Sequence, residues 1–572
     1  MMMRIFSPRR SNEYGLSLQL PLMAIFSIVS GSASAFTFSN DADTIHGSFD
    51  STVSAGTGIR TESQSSNLVS PTYNSATGAR TGGGQLGQAG GVSDQGNINY
   101  NKGDAFTTYL KGSHELLLKM PSEGLAFMVR GTWLRDFSAA ETTGQASGQD
   151  AFNSTPPDIS HGLASNAKDD LRFQTRLLDL WVSKTFNVGD QQARVRVGNQ
   201  VISWGESIFE VGGINATNAI DVNRSSQPGA QVKEFVLPAP IISVATGLGS
   251  GFNAEAYVQT KWNEDYLPPV GSYFSTSIVG AGSSAYNVRT KDAREGGQYG
   301  LALRYQPEGT DLNLGLYTIT YHDKLPQTSL DSNGLTVYQF PEDRHMFGVS
   351  ANFPVGDWAV GTELSYRPKD AVPLNPASGC VAQNGKCWVD EKKFQWHLTS
   401  LFALQPSNAR GILNALGADT ATLTTETVVI AYPGLHDSYD GSPISSGGWV
   451  WGNQKNDLVT TGGLNTPGDS KGTKYSGGID IDFNWVYDGS LISGWQVNPG
   501  IYVRRGMFGY TPNINEQFME GVTSVNMYIN FIQNPANWQV GMNITKFLGP
   551  SDPLTNPLRD RDFVGINVSR NF

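Results

Sequence analysis

Apolar and polar residues alternate with a period of two along most of the chain. Trp495, Val497, Ile501 and Val503 alternate with Gln496, Asn498, Tyr502 and Arg504. Val525, Met527, Ile529 and Phe531 alternate with Asn526, Tyr528 and Asn530, and Trp538, Val540, Met542 and Ile544 with Gln539, Asn543 and Thr545. Ile479, Ile481, Phe483 and Trp485 alternate with Asp480, Asp482 and Asn484, and Leu312, Leu314 and Leu316 with Asn313, Gly315 and Tyr317. Successive side chains of a strand point to opposite faces, so each segment predicts a strand with one apolar and one polar or small face. The pattern predicts about eighteen strands: 45–61, 105–120, 125–137, 171–187, 193–206, 233–247, 251–263, 297–306, 311–323, 343–353, 357–367, 391–404, 419–432, 473–487, 493–508, 520–533, 537–548 and 561–572.

A soluble sandwich would alternate in the same way, so the connections decide. Short ones (121–124, 188–192, 248–250, 307–310, 354–356, 488–492, 534–536) take turns with long ones such as 62–104, 207–232, 264–296 and 433–472. The exception is 405–418, where SNARGILNALG predicts a short helix at the rim. Short turns at one end and long loops at the other predict an all-β transmembrane antiparallel barrel, closed because lipid offers no partner to an open sheet edge. Both termini fall on the short-turn side, which is then periplasmic. The last strand, RDFVGINVSRNF, ends on Phe572. An aromatic terminal residue there resembles the recognition signal of bacterial outer-membrane barrels, which implies the barrel-assembly machinery as a partner.

Composition narrows the class. Only 16% of residues are charged, against about 25% in soluble proteins. Mean hydropathy is −0.28, too low for a helical membrane protein. Glycine is abundant (65 residues), and the net charge of −11 without a basic patch argues against nucleic acid. At the N-terminus, Arg4, Arg9 and Arg10 precede the mostly apolar stretch Leu16 to Ser30, and Ala33-Ser34-Ala35 forms a small-residue cleavage site. Residues 1–35 therefore predict a secretory signal peptide cut after Ala35, leaving a barrel over 36–572 in the outer membrane of a Gram-negative bacterium. Cys380 and Cys387 lie in a Gly/Asn/Pro-rich segment of an exported chain, which predicts a local disulfide, with two free thiols as the alternative.

No nucleophile elbow, HExxH, Walker A or dinucleotide motif is present, so neither a catalytic residue nor a metal or other cofactor is expected. The seven histidines are scattered and read mostly as solvated or interfacial. If Val195, Val197 and Val201 face lipid, then Arg194, Arg196, Gln200, Trp204 and Glu206 face the lumen, as do Asp480, Asp482, Asn484 and Arg504. Either these charges oppose one another across a narrowed pore, or they pair into a network that rigidifies the interior. Segment 207–232 carries Ile208, Phe209, Val211, Ile214 and Ile220 where an external loop should be polar. It is expected to fold inward as a constriction lined by Arg194, Trp204 and Glu206, the alternative being a loop packed at the rim.

Val201-Ile202-Ser203-Trp204-Gly205-Glu206-Ser207, followed by Gly212-Gly213-Ile214-Asn215 and Asp221-Val222, resembles the signature of a proteobacterial outer-membrane β-barrel family classed as domain of unknown function 1302. LPAPIISVATGL (237–248), AEAYVQTKWNEDYLPPVGSYF (254–274) and GVSANFPVGDWAVGTELSYRP (348–368) are similar to the same family. The resemblance implies an outer-membrane barrel associated with an outer-membrane lipoprotein and an inner-membrane transporter, and passage of small, hydrophobic molecules. It transfers no catalytic residues. Only residues 36–44 precede the first predicted strand, so an N-terminal plug domain is not expected. The expected function is a channel or transporter for small molecules. The alternative is a non-conducting barrel serving as a structural or docking component of an envelope assembly, and a third reading is an adhesin or surface enzyme.

Overall fold

A computed structural model of the chain describes residues 36–65, 72–73, 80–81, 96, 99–141, 163–275, 279–286, 289–332, 336–374, 385–440, 442–444, 454–456, 465–467, 472–512, 518–550 and 556–572. The predicted signal segment 1–35, Cys380, and most of connections 62–104 and 433–472 lie outside the described residues.

Eighteen antiparallel strands close into a barrel. They are His46–Arg60, Ala105–Met120, Leu125–Asp136, Phe173–Val188, Gln191–Gln200, Ala239–Gly249, Phe252–Gln259, Gln298–Tyr305, Asn313–Tyr321, Arg344–Val355, Trp358–Pro373, Trp388–Leu404, Thr420–Ala431, Tyr475–Ile492, Trp495–Phe508, Thr523–Gln533, Trp538–Leu548 and Phe563–Asn571. Each pairs with the next in sequence, and the last pairs with the first from Thr52↔Asn571 to Arg60↔Phe563. The last strand stops short of the lower end of the first, which would leave the edge at residues 46–49 open. The leading strand Phe36–Ser39 fills that place, with Phe36 opposite Phe49 and Ser39 opposite His46. The Phe572 N–H donates to the Ser51 carbonyl at 2.8 Å between the two.

The period-two pattern is the origin of the two surfaces. Leu316 is 55% exposed and its neighbour Tyr317 only 6%; Met527 is 42% exposed and Tyr528 8%. The exposed set forms the apolar lipid-facing belt and the buried set faces the lumen. At the short-turn rim, Gly189 (φ 60°) and Gly356 (φ 58°) supply the positive φ that two-residue hairpins need. The expected rim helix is present as Arg410–Leu416, seated by Leu404, Ala409, Leu413 and Ala421.

Among the strand boundaries that differ from the sequence expectation, two do so for one reason. The strand expected over 193–206 ends at Gln200. Ile202 and Trp204 continue the alternation on the inward face, as expected, but they do so off the wall, in an interior apolar cluster with Ile214, Ile241, Tyr257, Tyr317 and Met346. The strand expected over 233–247 begins at Ala239. Val232–Phe235 is a helical turn, and Val236–Leu237 pairs with Ala219–Ile220 inside the barrel. An interior core gives the same periodicity as a lipid face, so alternation alone extends both strands too far. At the long-loop end, Tyr100, Phe106, Phe235, Leu267, Tyr273, Phe274 and Phe563 form a second apolar core that joins the loops to the barrel mouth.

Candidate functional site

Residues 201–238 leave the wall, cross the lumen and return. An irregular segment in a barrel has no ladder to satisfy its backbone, so the wall must supply partners. Glu363 accepts the N–H groups of Glu206 (2.5 Å) and Ile214 (2.9 Å). One oxygen of Glu426 accepts three consecutive N–H groups, those of Ile208 (3.0 Å), Phe209 and Glu210 (3.1 Å). The other oxygen lies 2.6 Å from Nδ1 of His397. Gln395 donates to the Val211 carbonyl and Arg367 to that of Gly213, each at 2.9 Å. Arg504 Nε donates to Glu210 Oε1 at 2.6 Å. The close approach needs glycine: a Cβ at Gly213 would lie 2.0 Å from a Glu363 oxygen, and one at Gly205 (φ 93°) 2.4 Å from the other.

These partners sit on the strands between Trp358 and Phe508. The second half of the segment is held on the opposite side of the ring, by strands near the N-terminus. Arg176 pairs with Asp221, and Arg224 donates to the Thr132 hydroxyl at 2.7 Å. The Tyr109 hydroxyl donates to the Pro228 carbonyl at 2.5 Å, and Lys111 to that of Gly229 at 2.8 Å. Lys111 also forms a buried ion pair with Glu234. The segment is therefore a partition anchored at both ends of a diameter.

The partition closes one side of the lumen. Trp204 packs on Tyr257 and Tyr317, with ring centroids 5.1 and 5.8 Å away, and its Nε1 donates to Glu255 at 2.8 Å. On the other side a gap of about 100 Å³ remains between residues 228–231 and the last three strands. Six side-chain amides line it, and its lining includes no Asp, Glu, His, Lys or Arg. A smaller cavity of about 50 Å³ opens on the loop side beside Asn215, Asp265, Asp323, Lys324 and Arg367. Burial pushes the Asp265 and Asp323 carboxyls, both beyond the strands, up to about 7 and the Lys324 ammonium down to about 8.

The structure separates the residues that the sequence grouped. Segment 207–232 does run inside the barrel, but Trp204 and Glu206 are packed against the wall and do not edge the gap. Glu206 accepts from Asn352 at 2.9 Å. Arg194 is exposed on the inner face, paired in register with Ala245 towards the short-turn rim. Arg196 stacks 4.1 Å from the centre of the Trp181 ring, and Gln200 donates to the Ile241 carbonyl at 2.9 Å. Asp480 accepts the Tyr502 hydroxyl at 2.5 Å and Asp482 that of Tyr528 at 2.8 Å. Together with Arg504 on Glu210, these contacts are the paired network, not charges opposed across an open pore. Sequence reasoning missed Glu363, His397 and Glu426. Their parity opposite Leu364, Trp396 and Thr425 was the available signal, and His397 is fully buried, not solvated. Cys387 is buried and disulfide-bonded; Cys380 is the only other cysteine.

Fold and site define a membrane-spanning β-barrel whose lumen is divided by its own inward loop. The chain belongs to the family described as Protein of unknown function (DUF1302), which matches residues 18–572. No curated protein matches. Among solved structures, the chain is similar to Acinetobacter baumannii OccAB1, at 9% identity and a TM-score of 0.42, covering 94% of this chain and 98% of that one. Pseudomonas aeruginosa OpdK, solved with vanillate, is 10% identical with a TM-score of 0.40 (92% and 98% covered). A BenF-like porin from Pseudomonas fluorescens Pf-5 is 8% identical with a TM-score of 0.40 (92% and 98%).

Proposed function

We propose that this barrel is a channel for small molecules in the outer membrane of a Gram-negative bacterium. The observation that carries the reading is that the partition narrows the lumen without filling it. Its apolar face is sealed against one wall, while the gap beside it is lined mainly by polar side chains, six amides among them. A passive gap sets no direction. The lipoprotein and inner-membrane transporter expected from the resemblance are retained in the proposal as what would drive net passage, and Phe572, half-exposed at the lower rim, as the contact for barrel assembly. The small hydrophobic cargo expected from the resemblance is kept as a second candidate, because Ile532, Val540 and Met542 line the same gap.

The acid–histidine group Glu363–His397–Glu426 is occupied in holding loop backbone, which argues for a structural and not an enzymatic role. The rival reading is a barrel that docks partners without conducting. Planar-bilayer recording separates the two. The channel reading expects discrete current steps from the wild-type barrel, and larger steps when Gly212–Asn218 is deleted. A correctly assembled barrel silent in both forms would favour docking.

A further inference from the structure

We propose that the gap beside the partition is a selectivity eyelet for small, uncharged solutes that carry hydroxyl or amide groups. The proposal rests on the channel reading and adds the solute class. The lining amides are Gln231, Asn526, Asn530, Gln539, Asn543 and Asn567. A side-chain amide both donates and accepts, so a row of them can replace water around a hydroxyl whichever way that hydroxyl points.

Two observations indicate a built surface. Asn543 donates to Asn526 at 3.2 Å and Thr545 donates to the same oxygen at 3.1 Å, which fixes one end of the row. Asn530, Gln539 and Asn567 are half-buried, and their amides bond to nothing among the described residues. Between them lies Gly541, where a Cβ would come within 2.5 Å of the Asn567 carbonyl oxygen and 3.0 Å of that of Asn530. Glycine there leaves room for the two amides to converge on the gap.

The neighbouring charges Lys111 and Asp482 do not line the gap. Lys111 is neutralised by Glu234 behind residues 228–231, and Asp482 takes the Tyr528 hydroxyl and the Asn484 amide. An ion entering would give up water and meet no opposite charge at the gap, in contrast to pores that select ions with rings of charged side chains. A polyol would exchange water for amides at little net cost.

The test is solute flux through the full-length barrel in proteoliposomes, comparing arabinose with arabinonate, which differ in a carboxylate at one end. Arabinose should enter at least about tenfold faster. Asn530→Asp and Asn567→Asp should each shift the reversal potential in a KCl gradient toward cations and slow arabinose. Gln539→Glu on the adjacent strand gives the same readout should either of those fail to assemble. Equal rates for the two solutes, or an unchanged reversal potential in assembled variants, would place the path elsewhere and overturn the eyelet while leaving the channel intact. Absence of both flux and current in every form, the Gly212–Asn218 deletion included, would remove the channel reading and this inference with it.

Discussion

The inner wall from Ala239–Gly249 to Arg344–Val355 presents Ile241, Tyr257, Ala302, Tyr317, Ile319 and Met346. The inner wall from Thr523–Gln533 to Phe563–Asn571 presents Asn526, Asn530, Gln539, Asn543 and Asn567. Outside, the two are indistinguishable: Leu301, Leu316 and Val349 on one, Met527, Met542 and Ile566 on the other, all exposed and apolar. The contrast teaches that the outward face records only the solvent. Lipid asks the same of every strand, whereas the lumen asks different things of different sectors. One sector is a seat and the other, on the proposed reading, a passage, and the partition follows the apolar seat because burying its own Ile202, Trp204 and Ile214 there removes them from water.

The strongest way to break this contrast is to cut the staple beside the seat. Glu426 holds three loop N–H groups and His397 in a site without solvent. Glu426→Ala leaves all four without that partner, and breaking a buried charged pair costs about 3–5 kcal/mol. The partition should detach, with lower resistance to heat-unfolding on gels and larger current steps. Glu426→Gln keeps an acceptor oxygen and should lose less. Asn530→Ala on the passage side should leave heat resistance unchanged, because its amide holds nothing. Equal losses for Glu426→Ala and Asn530→Ala would erase the distinction between seat and passage.

A smaller effect sharpens the two surfaces of the passage strands. Arginine on the lipid face near the midplane costs roughly 2–4 kcal/mol, while a lumen position tolerates it. Ile529→Arg and Val540→Arg should assemble poorly, and Asn530→Arg and Gln539→Arg should assemble well but with reduced current. Similar assembly yields for all four, scored by heat-modifiability, would contradict the assigned faces.

Particular residues show what the sequence could and could not convey. Alternation placed Asn526 and Asn530 opposite Met527 and Ile529, so the passage wall was legible as an inner face. Arg194, Asp480 and Arg504 stand out more in the sequence, because charge is conspicuous in a string and pairing is not. Whether Arg504 is free or held depends on Glu210, and the partners of Glu363 lie about 150 residues away in sequence, at Glu206 and Ile214. No local pattern encodes such a meeting. The inward course of 207–232 was readable from its apolar residues, but its second anchor was not. Asp221, Pro228 and Glu234 look like ordinary loop residues until the closed ring brings Arg176, Tyr109 and Lys111 to them.

The smallest effect concerns the outer end of the partition, where seat and loops meet. Asp265 accepts the Ile220 N–H at 2.8 Å. Burial raises its carboxyl from the ordinary 3.8 to about 7, and Asp323 moves the same way. A carboxyl whose folded value is raised holds its proton longer in the folded state. Its contribution is complete below about pH 4 and is lost as pH climbs through 7. Lys324, lowered by burial to about 8, changes only above that, so between pH 5 and 7.5 the carboxyls alone set the sign. The contact between residues 219–222 and 265–267 should therefore be tighter at pH 5 than at pH 7.5. Amide exchange, corrected for its intrinsic pH dependence, should show protection there falling across that interval. Asp265→Asn, which cannot ionise, should flatten the fall. The lipid-facing strands should show no such trend, and protection independent of pH in the wild-type loop would show that Asp265 already carries its charge in the folded barrel.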